Sequence, residues 1–124
     1  MKFNKPWIQW LLVVLLAIPF LISALMKLSG NEEVVKSAAA WGVASSKLML
    51  IGIIELLCLV LFIIPRTGIL GTLLLAAYLG GAIATHLEHS QSVIAPVIFE
   101  TLVFIIACIR FPELTKRIIG SDKQ

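Results

Sequence analysis

An all-α fold is predicted, an integral membrane four-helix bundle with a short interfacial amphipathic helix between its first and second spans. Three observations predict it: four long apolar runs, a low charged fraction, and short connections. The 124 residues are 60% hydrophobic and 14% charged, against roughly half and a quarter in soluble domains. The runs cover approximately 7–26, 48–64, 68–87 and 93–111. Each approaches the ~20 residues that cross a ~30 Å hydrocarbon core. Together they occupy most of residues 1–124, so one transmembrane domain is expected, with no room for a second, soluble one.

The first run follows Lys2 and Lys5 and contains Ser23 and Ala24 near its end. That order also fits a secretory signal, but the run is long for a signal core and Lys27 suits the flank of a retained helix. Pro19 should kink it. The connection that follows, residues 28–47, contains Ser29, Gly30, Asn31 and Glu32. This reads as a capping box, in which Ser29 accepts from the amide three residues on and Glu32 reaches back. Val34, Ala38 and Trp41 then share a helical face and Gly42 supplies a stop. A short helix over approximately 31–42 is expected at the membrane interface, with Trp41 as its anchor, serving either as a connector or as a lid over a site.

Pro65, Arg66, Thr67 and Gly68 form a tight link between the second and third spans, which forces them antiparallel. The third span is small-faced: Ala76, Gly80 and Ala84 are four apart, as are Ala77, Gly81 and Thr85. Small residues at this spacing let helices approach closely in lipid, against two neighbours or against a second copy of the chain. Residues 86–92 turn the chain again, and Pro96 falls in the first turn of the fourth span, where its missing donor is harmless.

Charge gives an orientation. Four crossings put both termini beside the 65–67 turn, and that side carries Lys2, Lys5, Arg66, Arg110, Lys116, Arg117 and Lys123 out of ten basic residues. The positive-inside rule makes both termini cytoplasmic in a multi-pass protein of a bacterial inner (cytoplasmic) membrane. The formal charge of +3 reflects that topology, and no basic stripe with interleaved aromatics points to nucleic acid. Arg66, Arg110, Lys116 and Arg117 are expected at anionic head groups. Cys58 and Cys108 read as buried hydrophobes rather than a metal or redox pair.

The residues that could carry chemistry are the acids inside the runs. Glu55 lies eight residues after Lys47, and Glu100 eight after Ser92. At ~1.5 Å per residue both sit ~12 Å below the outer surface, at one level. A carboxyl in hydrocarbon is costly unless it is paired, protonated or wetted. Lys27 ends the first span on the same side, with Ser23 one turn below, while Tyr78, Thr85 and His89 form a stripe on the third span beside His86. Two readings compete. In one, the acids fix helix register with Lys27, His86 or a backbone carbonyl as partner. In the other, they line an outward-facing polar pocket, where burial disfavours a charged carboxyl and lets it exchange protons nearer neutrality. Such a pocket suits a quinone head group, a lipophilic amine or a lipid head group. His86 and His89 lie three apart, without further ligands for a metal and without the opposed placement that haem needs.

Ser-Ala-Leu-Met-Lys-Leu at Ser23 to Leu28, Gly-Ile-Ile-Glu-Leu at Gly52 to Leu56, Pro65-Arg66, and Gly-Gly-Ala-Ile-Ala-Thr-His at Gly80 to His86 together resemble the DoxX family, in its short DoxX-like branch. The resemblance covers roughly residues 20 to 90. It implies a four-helix membrane protein with recurrent polar positions at Lys27, Glu55, Arg66 and His86, and it does not extend to Glu100. One related group is a membrane subunit of thiosulfate:quinone oxidoreductase; many members have no established activity.

The expected function is therefore a redox-linked accessory subunit, at most a non-autonomous part of a quinone-linked oxidoreductase. It would bind a quinone or similar amphiphile with Glu55 and His86 as proton carriers and Lys27 as charge partner. No resident metal or flavin is expected, so electrons would come from a redox partner protein. The expected contacts are membrane lipids, that partner, and a second copy through the small face of the third span. The alternative is a non-enzymatic assembly or a lipid- or small-molecule-binding protein whose buried carboxylates serve packing. The site candidates are Lys27, Glu55, Tyr78, Thr85, His86, His89 and Glu100.

Overall fold

The computed structural model describes residues 5–120; Lys2 and Lys123, counted above for the charge asymmetry, lie outside the described residues. The chain is all-helical: α1 Pro6–Leu28, α2 Glu32–Ala40, α3 Ser45–Ile63, a 3-10 turn Pro65–Thr67, α4 Gly68–Glu88, α5 Ile94–Arg110 and α6 Pro112–Ile119. Helices α1, α3 and α4 are each long and apolar enough to cross a membrane. A fourth crossing is made if α5 and α6, bent by 112° at their junction, count as one broken span. The outer surface is apolar too: Leu15, Leu57 and Leu73 are all more than half exposed. On a water-soluble bundle that surface would be an aggregation site; on a membrane protein it faces lipid.

Each long helix turns one stripe inward at helical spacing. On α1 it is Val13, Leu16, Phe20 and Ala24; on α3 it is Leu48, Gly52, Glu55, Leu59 and Phe62. Antiparallel neighbours α1, α3, α4 and α5 close into a ring in which α1 also meets α5. The core at its centre contains Val13, Phe20, Leu59, Phe62, Leu75 and Val103.

The end of the bundle holding the termini is tightly tied. A Cβ on Gly71 would fall inside the backbone of Phe62, and one on Gly68 inside the Phe111 ring, so α3, α4 and the α5–α6 junction meet at minimum separation. The last carbonyls of α3 have no partners within their own helix. Thr67 Oγ1 donates to the Leu61 carbonyl at 2.9 Å, and the Arg110 guanidinium donates to those of Phe62 and Ile63 at 2.7 and 3.0 Å. The guanidinium also lies over the Phe111, Phe62 and Trp10 rings at 4.8, 5.1 and 5.7 Å. Arg110, expected at lipid head groups, is instead a strap between α5 and the end of α3, because its planar fork matches two adjacent carbonyls.

Two local expectations are corrected. Helix α2 is capped by Asn31, whose side chain accepts from the Val34 amide at 3.2 Å. Ser29 instead continues the end of α1, donating back to the Met26 carbonyl. Helix α6 was not expected at all. Pro112 at its first position stops α5, Thr115 Oγ1 donates to the Cys108 carbonyl at 2.8 Å, and Leu114 packs on the core.

Candidate functional site

The site is built at the opposite end of the bundle, where α1 and α4 finish. Glu55 is 2% exposed, in the middle of the buried α3 stripe. One turn earlier on that face stands Gly52, where a Cβ would sit 3.0 Å from Lys27 Cβ and 3.3 Å from the Ala24 carbonyl oxygen. The missing side chain lets α1 lie against α3, and that approach delivers Lys27 to the acid. Lys27 Nζ donates to Glu55 Oε1 at 2.9 Å, and Ser23 Oγ donates to the same oxygen at 3.2 Å. Lys27 also donates to Ser23 Oγ, closing a triangle. The Tyr78 phenol approaches the same carboxylate from α4.

These groups form one wall of a cavity of about 230 Å³. At ~30 Å³ per liquid water that is room for about seven waters or one substituted ring. All four long helices contribute: Ser23 and Lys27 from α1, Glu55 from α3, Tyr78 and His86 from α4, and Phe99 from α5. Phe20 and Phe99 meet edge to face at 5.5 Å beneath it. Pro19 of α1 and Ala95 of α5 also line it and are exposed. The cavity therefore reaches the surface at the α1–α5 seam, between helices whose outer faces are apolar.

His86 Nδ1 lies 2.7 Å from the Ala82 carbonyl, and His89 Nδ1 lies 2.9 Å from that of Thr85. A carbonyl only accepts, so each Nδ1 donates and each Nε2 remains available to another partner. Trp41, expected as a membrane anchor, stands between the two imidazoles. It meets His86 edge-on and stacks on His89, both with centroids at 5.1 Å. Trp41 thereby fastens the end of α2 to the end of α4, and α2 also packs against α3.

Of the seven candidates, Lys27, Glu55, Tyr78 and His86 come together on this cavity. Thr85 spends its hydroxyl on the Gly81 carbonyl at 2.8 Å and faces a second space beneath α2. His89 contributes through Trp41. Glu100 is half-buried on α5 and lines neither space. Sequence reasoning missed the part played by Gly52; the available signal was its three-residue spacing from Glu55, which puts both on one helical face. It also missed the Trp41 contact, which joins residues far apart in the chain and has no local signature.

A profile described as the DoxX-like family matches residues 11–109, most of the chain. No curated protein and no solved structure matches it.

Proposed function

The chain belongs to the DoxX-like family, and from that premise we propose that this multi-pass membrane protein binds a quinone or similar amphiphile in the lateral cavity, as a redox-linked accessory subunit. The observation carrying this reading is a lipid-facing cavity in which an ion pair, a phenol and an imidazole meet otherwise apolar walls. An amphiphile entering past Pro19 and Ala95 brings its head to donors on Lys27 and Tyr78 and leaves its tail among lipids. A quinone carbonyl accepts from such donors, and its reduction takes up protons as well as electrons. Glu55 and His86 Nε2 are the groups positioned to pass those protons inward from the outer face. The electrons come from a partner protein. The same reading has both termini cytoplasmic in a bacterial inner membrane, supported by Lys5, Arg66, Arg110, Lys116 and Arg117 at one end of the bundle.

A second reading draws on the closed Lys27–Ser23–Glu55 triangle, which satisfies itself without a ligand. In it the protein is a non-enzymatic assembly or lipid-binding protein, and the acid fixes the register of α1 on α3. The open Ala76, Gly80 and Ala84 face of α4 remains the candidate contact with a second copy.

Native mass spectrometry with lipid extraction, on protein purified in mild detergent, separates the two readings. A stoichiometric quinone, lost in Glu55→Gln and Tyr78→Phe, supports the first. Bulk phospholipid alone supports the second. Cysteines introduced at Ser45 and Gln91 should label from outside, and labelling from the cytoplasm would overturn the orientation.

A further inference from the structure

A second cavity, of about 520 Å³, lies on the other side of the Lys27–Tyr78–His86 wall. Its roof is α2, through Val34, Ala38 and Trp41; its floor is Leu48 and Ile51 of α3 and the small residues Ala77 and Gly81 of α4. A Cβ on Gly81 would meet nothing within 4 Å, so the glycine leaves room there rather than serving a helix contact. The space is more than twice the volume of the lateral cavity and mostly apolar. At ~30 Å³ per water-sized group it has the volume of on the order of seventeen such groups, comparable to that of one long hydrocarbon chain.

Its polar end offers donors. An ammonium has three N–H groups, and Lys27 directs two of them to Ser23 and Glu55, leaving one. Tyr78 and His86 stand beside it on the shared wall. Thr85 adds no free donor, since its hydroxyl is committed to its own helix. A chain ending in an acceptor therefore fits: Lys27 lines this cavity while the carboxylate paired to it, Glu55, does not, so a chain ending in a cation would meet Lys27 alone.

We propose that the cavity beneath α2 is a second binding site, distinct from the lateral one, for a single-chain carboxylate amphiphile of the long-chain fatty acid class. The chain lies under Val34, Ala38 and Trp41, and the carboxylate takes the remaining Lys27 donor. Because Lys27, Tyr78 and His86 face both cavities, occupancy of this site bears directly on the groups lining the other.

Trp41 in the wall makes the site directly readable. In a Trp7→Phe, Trp10→Phe background, Trp41 is the sole tryptophan. The protein is placed in nanodiscs of unbrominated phosphatidylcholine and titrated with dibromostearic acid. Saturable quenching of Trp41 is expected, at least fivefold weaker in Gly81→Leu, which fills the cavity. Gly80→Leu provides the folding control: a Cβ there also meets open space, but Gly80 does not line the cavity. It should quench like the parent, as should Ala95→Leu, which obstructs the mouth of the lateral site and lines only that cavity. Quenching that rises without saturation, or that is equal in Gly81→Leu and Gly80→Leu, overturns the site. Equal quenching from dibrominated phosphatidylcholine host lipid, with no competition by stearic acid, assigns the cavity to bulk lipid and likewise overturns it. Loss of quinone from the lateral site leaves this result unaltered, so the two proposals fail separately.

Discussion

Removing Lys27 should cost more than neutralising Glu55, and removing both should cost less than removing Lys27 alone. In Lys27→Met, a carboxylate that is 2% exposed keeps only the Ser23 hydroxyl at 3.2 Å and the neighbouring Tyr78. Breaking a buried pair from one side costs about 3–5 kcal/mol. In Glu55→Gln the shape is kept and the amide oxygen still accepts from Ser23 and Lys27. Lys27 stands in the last turn of α1 with its side chain 18% exposed, so its charge can extend toward the surface. The loss is then one charge-assisted component, about 1.5–3 kcal/mol. The double variant leaves no unpaired charge and should fall within about 2 kcal/mol of the parent, so the two single losses, about 4.5 kcal/mol or more together, should exceed it by a coupling energy of at least about 2.5 kcal/mol. Unfolding by sodium dodecyl sulfate in mixed micelles, followed by tryptophan fluorescence, measures all four species. Single losses below about 1 kcal/mol that simply add, at the level of an exposed pair, would refute the argument that this triangle is dry and mutually dependent.

Other perturbations test the frame around the site. Arg110→Ala should lose roughly 2–4 kcal/mol by orphaning two α3 carbonyls and removing the ring contacts; Arg110→Lys should restore less than half, since an ammonium cannot fork across both, and the same titration reads this. Gly71→Ala should destabilise by roughly 3 kcal/mol or more because the obstacle is Phe62 backbone. Gly80→Ala, in open space, should be neutral or stabilising by up to about 1 kcal/mol; thermal aggregation in detergent ranks the pair, and equal behaviour would sink the close-approach argument. Trp41→Ala should speed hydrogen exchange in α2 at least tenfold while α3 amides keep their protection, because its contacts with the His86 and His89 rings fasten α2 and not the core.

The fold was legible because lipid imposes a strong filter: apolar runs of spanning length have few alternatives to helices, and Pro65 and Pro112 mark where they stop. The cap of α2 was less legible, since Ser29 and Asn31 both precede the helix and the choice depends on how many residues α1 spends turning, which is a property of α1. Helix α6 carries Pro112 at its start, Glu113 in its first turn, Lys116 and Arg117 in its last and Gly120 after it. It was passed over because eight residues beside a long span read as a polar tail. For the site, depth counting put Glu55 and Glu100 at one level, with Lys27 and His86 on the same side of the bundle. It could not separate Glu55 from Glu100, which share depth but differ in helical phase: Glu55 lies on the buried stripe of α3, while Glu100 lies at the edge of that of α5. The glycines were the hardest to read. Gly52, Gly68 and Gly71 carry the close contacts, whereas the regular small stripe around Gly80 and Gly81 faces open space. Spacing identifies small faces but not what comes to lie against them.

The two ends of this bundle are mechanically unlike. Near the termini, Gly71, Thr67 and Arg110 rivet the helices together through backbone atoms, and Gly68 seats the Phe111 ring. At the far end two hollows lie among the helices, and the Trp41, His86 and His89 rings latch α2 over one of them. In such a frame, opening at the far end would come from small tilts of whole helices about the riveted end, without any helix unwinding. Displacement would then be greatest at the α2 face and least at the α6 face, and a neighbouring protein that responds to what the cavities hold would have to sit at the α2 end.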